Sequence, residues 1–300
     1  MHQVKAKGLT VRRSEELLLT AVKADGGKLA TLAWYHHRLR PFVEAYGDRE
    51  IDGVTIDDVR AYMAAIQDKE CSAHTKYSFI RVVRRLFKWL FEEQHIQTNF
   101  YRKIRLPRLP QPVPKGIEMA DAAALLKDCR GDLAGFRDRA IMLFLLDTGC
   151  RVGGLCSLKP SDLDLEKRRA QVYEKGDKGR FVLLQPQTCE ALGKWLGRRT
   201  RNGVDRVFTS LAEARPVGPN TVVQMLRRRA KRAGVGGRVN PHSWRHGFAR
   251  EWIRNGGDLA SLSNMMGHTQ MAVTMRYAVF LVDEHREKHD RFSPVSHLLP

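Results

Sequence analysis

"LPRLPQPVPKG", residues 106–116, divides the chain. Prolines at 107, 110, 112 and 114 remove backbone donors and fix φ, so no helix can run through it. The stretch reads as an extended, basic linker. It separates residues 1–105 from residues 117–300, and both parts are ordinary domain sizes.

Residues 1–105 read as all-helical. Apolar positions recur at helical spacing over 12–24 and 29–46, with Gly26-Gly27 between them. "TIDDVRAYMAAIQD" opens on Thr55 and Asp58, the spacing of a capping box. "SAHTKYSFIRVVRRLFKWLFEEQ" predicts one long amphipathic helix, with Phe79, Val82, Val83, Leu86, Phe87 and Leu90 as its apolar stripe. Arg81, Arg84, Arg85 and Lys88 fall largely on another face, either solvated or turned to a polyanion.

Residues 117–300 read as mixed. Helices are expected at 118–129 and 136–147, then a hairpin over "RRAQVYEKGDKGRFVLL", residues 168–184. Further helices are expected at about 187–200, 219–233, 241–255, 258–266, 270–276 and 280–289. The fold class is mainly α with a small β-sheet, a helical N-terminal domain followed by an α+β one.

Charge narrows the partner. Lys plus Arg number 52 against 33 acidic residues, a net +19 at a pI near 10.1. That basicity is the footprint of a nucleic-acid binder. It is spread along the chain, +7 in 1–110 and +12 in 111–300, so both parts can touch a polyanion. The five cysteines (71, 129, 150, 156, 189) form no CxxC pair, which argues against a disulfide framework and a cysteine-only zinc site. No apolar run approaches membrane-spanning length, and the N-terminus lacks the apolar segment of a signal peptide, so a cytoplasmic protein is expected.

"NPHSWRHGFAREWIRNGG", residues 240–257, puts His242, Arg245 and His246 on one helical face. A zinc pair is one reading of the two histidines. Arg245 on the same face opposes it, and the glutamate of HExxH is absent, Ser243 standing there. An anion site is the other reading, since a guanidinium fork binds phosphate oxygens in pairs. "MMGHTQMAVTMRYAVF" adds His268 and Tyr277. Trp244, Phe248 and Trp252 read as core, and His246 as a support for the fold or the site. No P-loop and no GxGxxG after a strand is present.

Taken in order, Arg151, Lys175, His242, Arg245, His268 and Tyr277 resemble the signature of the tyrosine recombinase (phage integrase) family, especially its two-domain Xer-like members. TG-x-R stands at Thr148-Gly149-Cys150-Arg151, the hairpin lysine at Lys175, H-x-x-R at His242 to Arg245, GH at Gly267-His268 and the nucleophile at Tyr277. The intervals of 24, 67, 3, 23 and 9 residues suit a compact member. The resemblance covers about 118–290; the N-terminal part matches a core-binding domain in size, helicity and charge.

The resemblance implies a clamp around double-stranded DNA and strand cleavage by transesterification. Tyr277 would attack the phosphate, leaving a covalent 3′-phosphotyrosine and a free 5′-hydroxyl. Arg151, Arg245 and His268 would hold the phosphate, His242 would move a proton near the nucleophile, and Lys175 would protonate the leaving oxygen. No metal and no ATP are implied. Lys178 and Arg180, beside the hairpin lysine, join the Arg81–Lys88 face as DNA-contact candidates. Two duplexes and four scissile phosphates imply a tetramer on DNA, while nothing reads as an obligate dimer seam, so a monomer is expected in solution; a bacterial, phage or mobile-element origin is expected. A type IB topoisomerase and a non-cleaving DNA-binding relative are the rival readings. One departure stands out: where the family has an acidic residue three positions after the first arginine, this chain has Gly154.

Overall fold

Short polar side chains open the helices where the sequence puts them. Thr10, Thr55, Ser72, Asp132, Asn240 and Asp258 each accept a hydrogen bond from a backbone N–H two or three residues into the helix they precede. The computed structural model describes residues 8–109, 114–173, 179–199, 203–268, 270–281, 289–291 and 293–297. The chain divides into two units, Met1–Gln111 and Pro112–Pro300, with the boundary inside the proline-rich stretch. Among the described residues no helix is long and apolar enough to cross a membrane.

The first unit packs α1 (Val11–Ala24), α2 (Leu29–Tyr46), α3 (Ile56–Gln67) and α4 (Ala73–Glu92). The expected stripe of α4 is the buried one, and each such side chain contributes about 1.5–3 kcal/mol relative to exposure. Phe42 sits at the centre, with ring centroids 5.1 Å from Tyr62 and 5.9 Å from Phe87. Both halves of the Thr55–Asp58 capping box form. Arg49 clamps Asp58 at 2.8 and 3.2 Å, and that guanidinium, with the Thr55 N–H, holds the carboxyl well below its usual range. On the basic face of α4, Arg81 is exposed over the Trp34 ring, while Arg85 and Lys88 lie 3.8 and 3.4 Å from Glu92.

The second unit surrounds α6 (Leu133–Thr148), which buries residues on every side, as a central helix must. Around it lie α5 (Met119–Lys127), α7 (Val152–Ser157), α8 (Pro186–Arg198), α9 (Pro219–Arg232), α10 (Pro241–Arg254), α11 (Leu259–Met266) and α12 (Met271–Met275). The sheet is antiparallel in the order β1 (Leu163–Asp164), β2 (Arg169–Tyr173), β3 (Gly179–Leu183). Three features differ from expectation. A third strand, β1, extends the hairpin. α6 starts at Leu133 rather than 136, because Asp132 caps it. α7 forms despite Gly153 and Gly154. The helix expected at 280–289 falls mostly on 282–288, outside the described residues; a 3-10 turn occupies Ala278–Leu281.

A buried ion network joins α5, α6 and α9. Arg229 donates to Asp138 Oδ2 at 2.8 and 3.0 Å and to the Asp128 carbonyl and carboxylate at 2.8 and 3.0 Å. Arg137 takes the other oxygen of Asp138. Removing one member of such a network strands a desolvated charge. Asp138→Ala is therefore expected to lower unfolding stability by about 3–5 kcal/mol, read as a shift of the urea midpoint.

Candidate active site

Three elements build the site, two of them chain reversals. The first ends α6. Thr148 is buried, its hydroxyl donating to the Phe144 carbonyl at 2.7 Å and accepting from the Cys150 N–H at 3.2 Å. Gly149 follows in the left-handed region at φ +56, and a Cβ there would come 2.4 Å from the Phe248 ring. The TG of the motif is thus a helix stop that no larger residue fits, and it delivers Arg151, half-buried, to the start of α7.

The second element is α10, capped by Asn240 with Pro241 in its first turn. Arg245, one turn in, is buried at 5 % exposure. Its guanidinium donates to the Gly149 carbonyl at 2.5 Å, the Met266 carbonyl at 2.7 Å and His268 Nε2 at 2.9 Å. Those carbonyls stand at the C-terminal ends of α6 and α11, where helix dipoles place partial negative charge. Glu251, a candidate partner for Arg245 on spacing alone, pairs with Arg250 at 2.9 Å instead.

The third element is a second reversal at Gly267, left-handed at φ +65, which ends α11 and presents His268. A guanidinium only donates, so His268 Nε2 accepts, and Nδ1–H donates to the Thr274 hydroxyl at 2.7 Å. Burial, then Arg245, Arg151 and Arg180, hold this imidazole neutral, pushed down to about 4.

β3 adds a third arginine. Its side chains alternate, so Arg180 and Val182 turn inward while Phe181 and Leu183 are exposed. Burial lowers the pKa of Arg180; burial and Arg180 lower that of Arg151; burial, Arg151 and Arg180 push Arg245 down to about 10. Like charges this close disfavour one another's charged forms, and an anion placed among them would relieve that. Lys175 and Lys178 lie outside the described residues.

Tyr277 is 1 % exposed, set among Phe248, Ala249, Ile253, Leu262 and Met266. Burial raises its pKa; Arg245 and Arg276 act in the opposite sense. Its hydroxyl lies 2.6 Å from His246 Nδ1. The two motif histidines thus part company: His242, in the first turn of α10, is exposed, and His246, four residues on, meets the phenol. Both border a pocket of about 390 Å3 together with Lys115, Arg238 and Arg276. Sequence reading placed Arg180 only among DNA contacts, read His246 as a support and did not single out Thr274; the i+4 spacing of His246 from His242 was the available signal. Trp244 and Phe248 are core, as expected. Among the described residues no group of three or more His, Cys, Asp or Glu could hold a metal.

Residues 116–282 match the phage integrase family. The chain belongs to that family. It is a site-specific tyrosine recombinase, an enzyme that cuts and rejoins DNA strands. It is 30% identical to tyrosine recombinase XerC of Bacillus pumilus over 277 residues, 88% of this chain and 90% of that one. The crystal structure of XerA recombinase matches with a TM-score of 0.54 at 27% identity, covering 94% of this chain and 98% of that one. A Tn1549 transposon integrase, solved with a circular intermediate DNA, matches with a TM-score of 0.73 at 19% identity, covering 95% and 100%.

The depressed imidazoles have a measurable consequence. His246 is also pushed down to about 4, by burial and then by Arg276, His242 and Arg245. A base with a lowered folded pKa contributes stability that is present above its unfolded value, near 6.5, and lost as pH falls toward the folded one. Unfolding free energy should therefore fall between pH 6.5 and 4, and fall less steeply in His246→Gln/His268→Gln. NMR titration of the free recombinase should give midpoints for both imidazoles near 4.

Proposed function

We propose that this recombinase cleaves DNA through a covalent 3′-phosphotyrosine at Tyr277, with Arg151, Arg180 and Arg245 holding the scissile phosphate. The observation that carries this reading is Arg245, buried and bonded to the end of α6 that delivers Arg151 and to His268, with the buried Tyr277 near enough to feel its charge. A phosphodiester repels nucleophiles because it is an anion. Guanidiniums on its non-bridging oxygens remove that repulsion and stabilise the additional charge of the pentavalent transition state. Tyr277 attacks phosphorus, the P–O5′ bond breaks, and Lys175 protonates the leaving oxygen. The phosphotyrosine keeps the energy of the broken ester, so rejoining needs no ATP. The arginines supply the charge a metal would otherwise supply, and the reaction is proposed to be metal-free.

His268 donates no proton to the phosphate in the free enzyme. Anionic DNA relieves the repulsion that keeps it neutral, so the imidazole gains a proton, releases Arg245 and becomes a donor. Two duplexes carry four scissile phosphates, and assembly of four protomers on DNA is the arrangement proposed for complete exchange. Bacterial relatives and a neighbour solved on DNA support action on cytoplasmic DNA. Arg81 and Arg84 of α4, in the other unit, are proposed to touch the DNA backbone.

A nicked suicide duplex tests the chemistry. The unaltered chain should form an SDS-resistant adduct and Tyr277→Phe none. Arg151→Ala, Arg180→Ala and Arg245→Ala should each slow adduct formation by about 10²–10³. Relaxation of a plasmid lacking paired sites would point instead to topoisomerase action.

A further inference from the structure

We propose that His246 is a catalytic residue of this recombinase: its Nδ1 takes the proton of Tyr277 as the phenol attacks, and returns it on rejoining. The assignment rests on Tyr277 being the nucleophile.

Three observations converge. First, the phenol and imidazole are in contact, 2.6 Å between Oη and Nδ1, with ring centroids 5.8 Å apart. Second, the direction of that bond is fixed by burial. Tyr277 is 1 % exposed, and its O–H proton needs an acceptor at so dry a site. Among the described residues the hydroxyl has no other hydrogen-bond partner, so the phenol donates and Nδ1 accepts. A neutral imidazole with Nδ1 as acceptor carries its hydrogen on Nε2. Third, His246 borders the 390 Å3 pocket with Lys115, Arg238, His242 and Arg276. The imidazole therefore stands between a sequestered nucleophile and an open cationic pocket, the position of a proton acceptor.

The step balances. The Tyr277 oxygen forms its bond to phosphorus, its proton passes to His246 Nδ1, and the P–O5′ bond breaks with the electron pair going to O5′. That oxygen is protonated by the general acid. In rejoining, the attacking 5′-hydroxyl returns its proton to that same, now deprotonated, group, P–Oη breaks, and the imidazolium returns its proton to the phenolate. The arriving phosphate anion offsets Arg245 and Arg276, whose charges otherwise disfavour the imidazolium.

The test is single-turnover adduct formation on the suicide duplex with His246→Gln and His246→Asn. Either amide can accept from the phenol, but neither can take its proton. Each variant is made with tyrosine and with an acidic fluorinated tyrosine at 277, and His242→Gln runs in parallel. The expected result is unchanged melting and DNA affinity, adduct formation slowed about a hundredfold, and recovery of most of the rate with the fluorinated phenol. A rate within threefold of the unaltered chain overturns the assignment. So does a slow variant that the acidic phenol fails to rescue, or rescue seen in His242→Gln alone. Loss of melting temperature and DNA affinity in both amides also overturns it, by making His246 scaffold. An adduct from Tyr277→Phe would instead sink the nucleophile itself.

Discussion

A guanidinium can be buried only if its N–H groups are met, and the site of this recombinase is organised around meeting those of Arg245. The carbonyls that receive it belong to Gly149 and Met266, at the ends of two helices from different parts of the chain. One side chain on α10 thereby fixes the relative position of the end of α6, which carries Arg151, and the end of α11, which carries His268. The left-handed glycines at 149 and 267 belong to this arrangement, because each stops a helix where its last carbonyls are needed. Gly154, buried in α7, brings no carboxylate here. The negative poles of two helices supply part of what a carboxylate would, with no formal charge to desolvate.

The site separates its cationic cluster from its phenol. Arg151, Arg180, Arg245 and His268 form a cationic cluster in which each member weakens its neighbours. Tyr277 is packed among hydrocarbon side chains that favour the protonated phenol. The cations sit together while the phenol keeps its proton.

Much of this was legible in the sequence, for identifiable reasons. Helix starts showed because Thr55, Ser72 and Asn240 cap by local chemistry, which spacing reveals. The boundary region showed because proline acts through its own backbone. α7 did not show, since Gly153 and Gly154 weigh against a helix that packing against α6 and α9 nevertheless stabilises. β1 did not show because two residues carry no period. That His246 rather than His242 contacts Tyr277 was also hidden. Both lie on one face of α10, and only the burial of its second turn decides which imidazole meets the tyrosine. That Arg180 turns inward was hidden because alternation along β3 depends on a register that sequence alone does not fix.

The self-repulsion among Arg151, Arg180 and Arg245 reaches beyond catalysis. A fold that brings guanidiniums together out of water sets them against one another, and an anion bound among them would lower that cost. Binding and conformational stability are thereby linked: whatever occupies the pocket favours the native state over the unfolded one. A bound phosphate would thus act as part of the protein's own framework, and a substrate of this enzyme would double as one of its stabilisers.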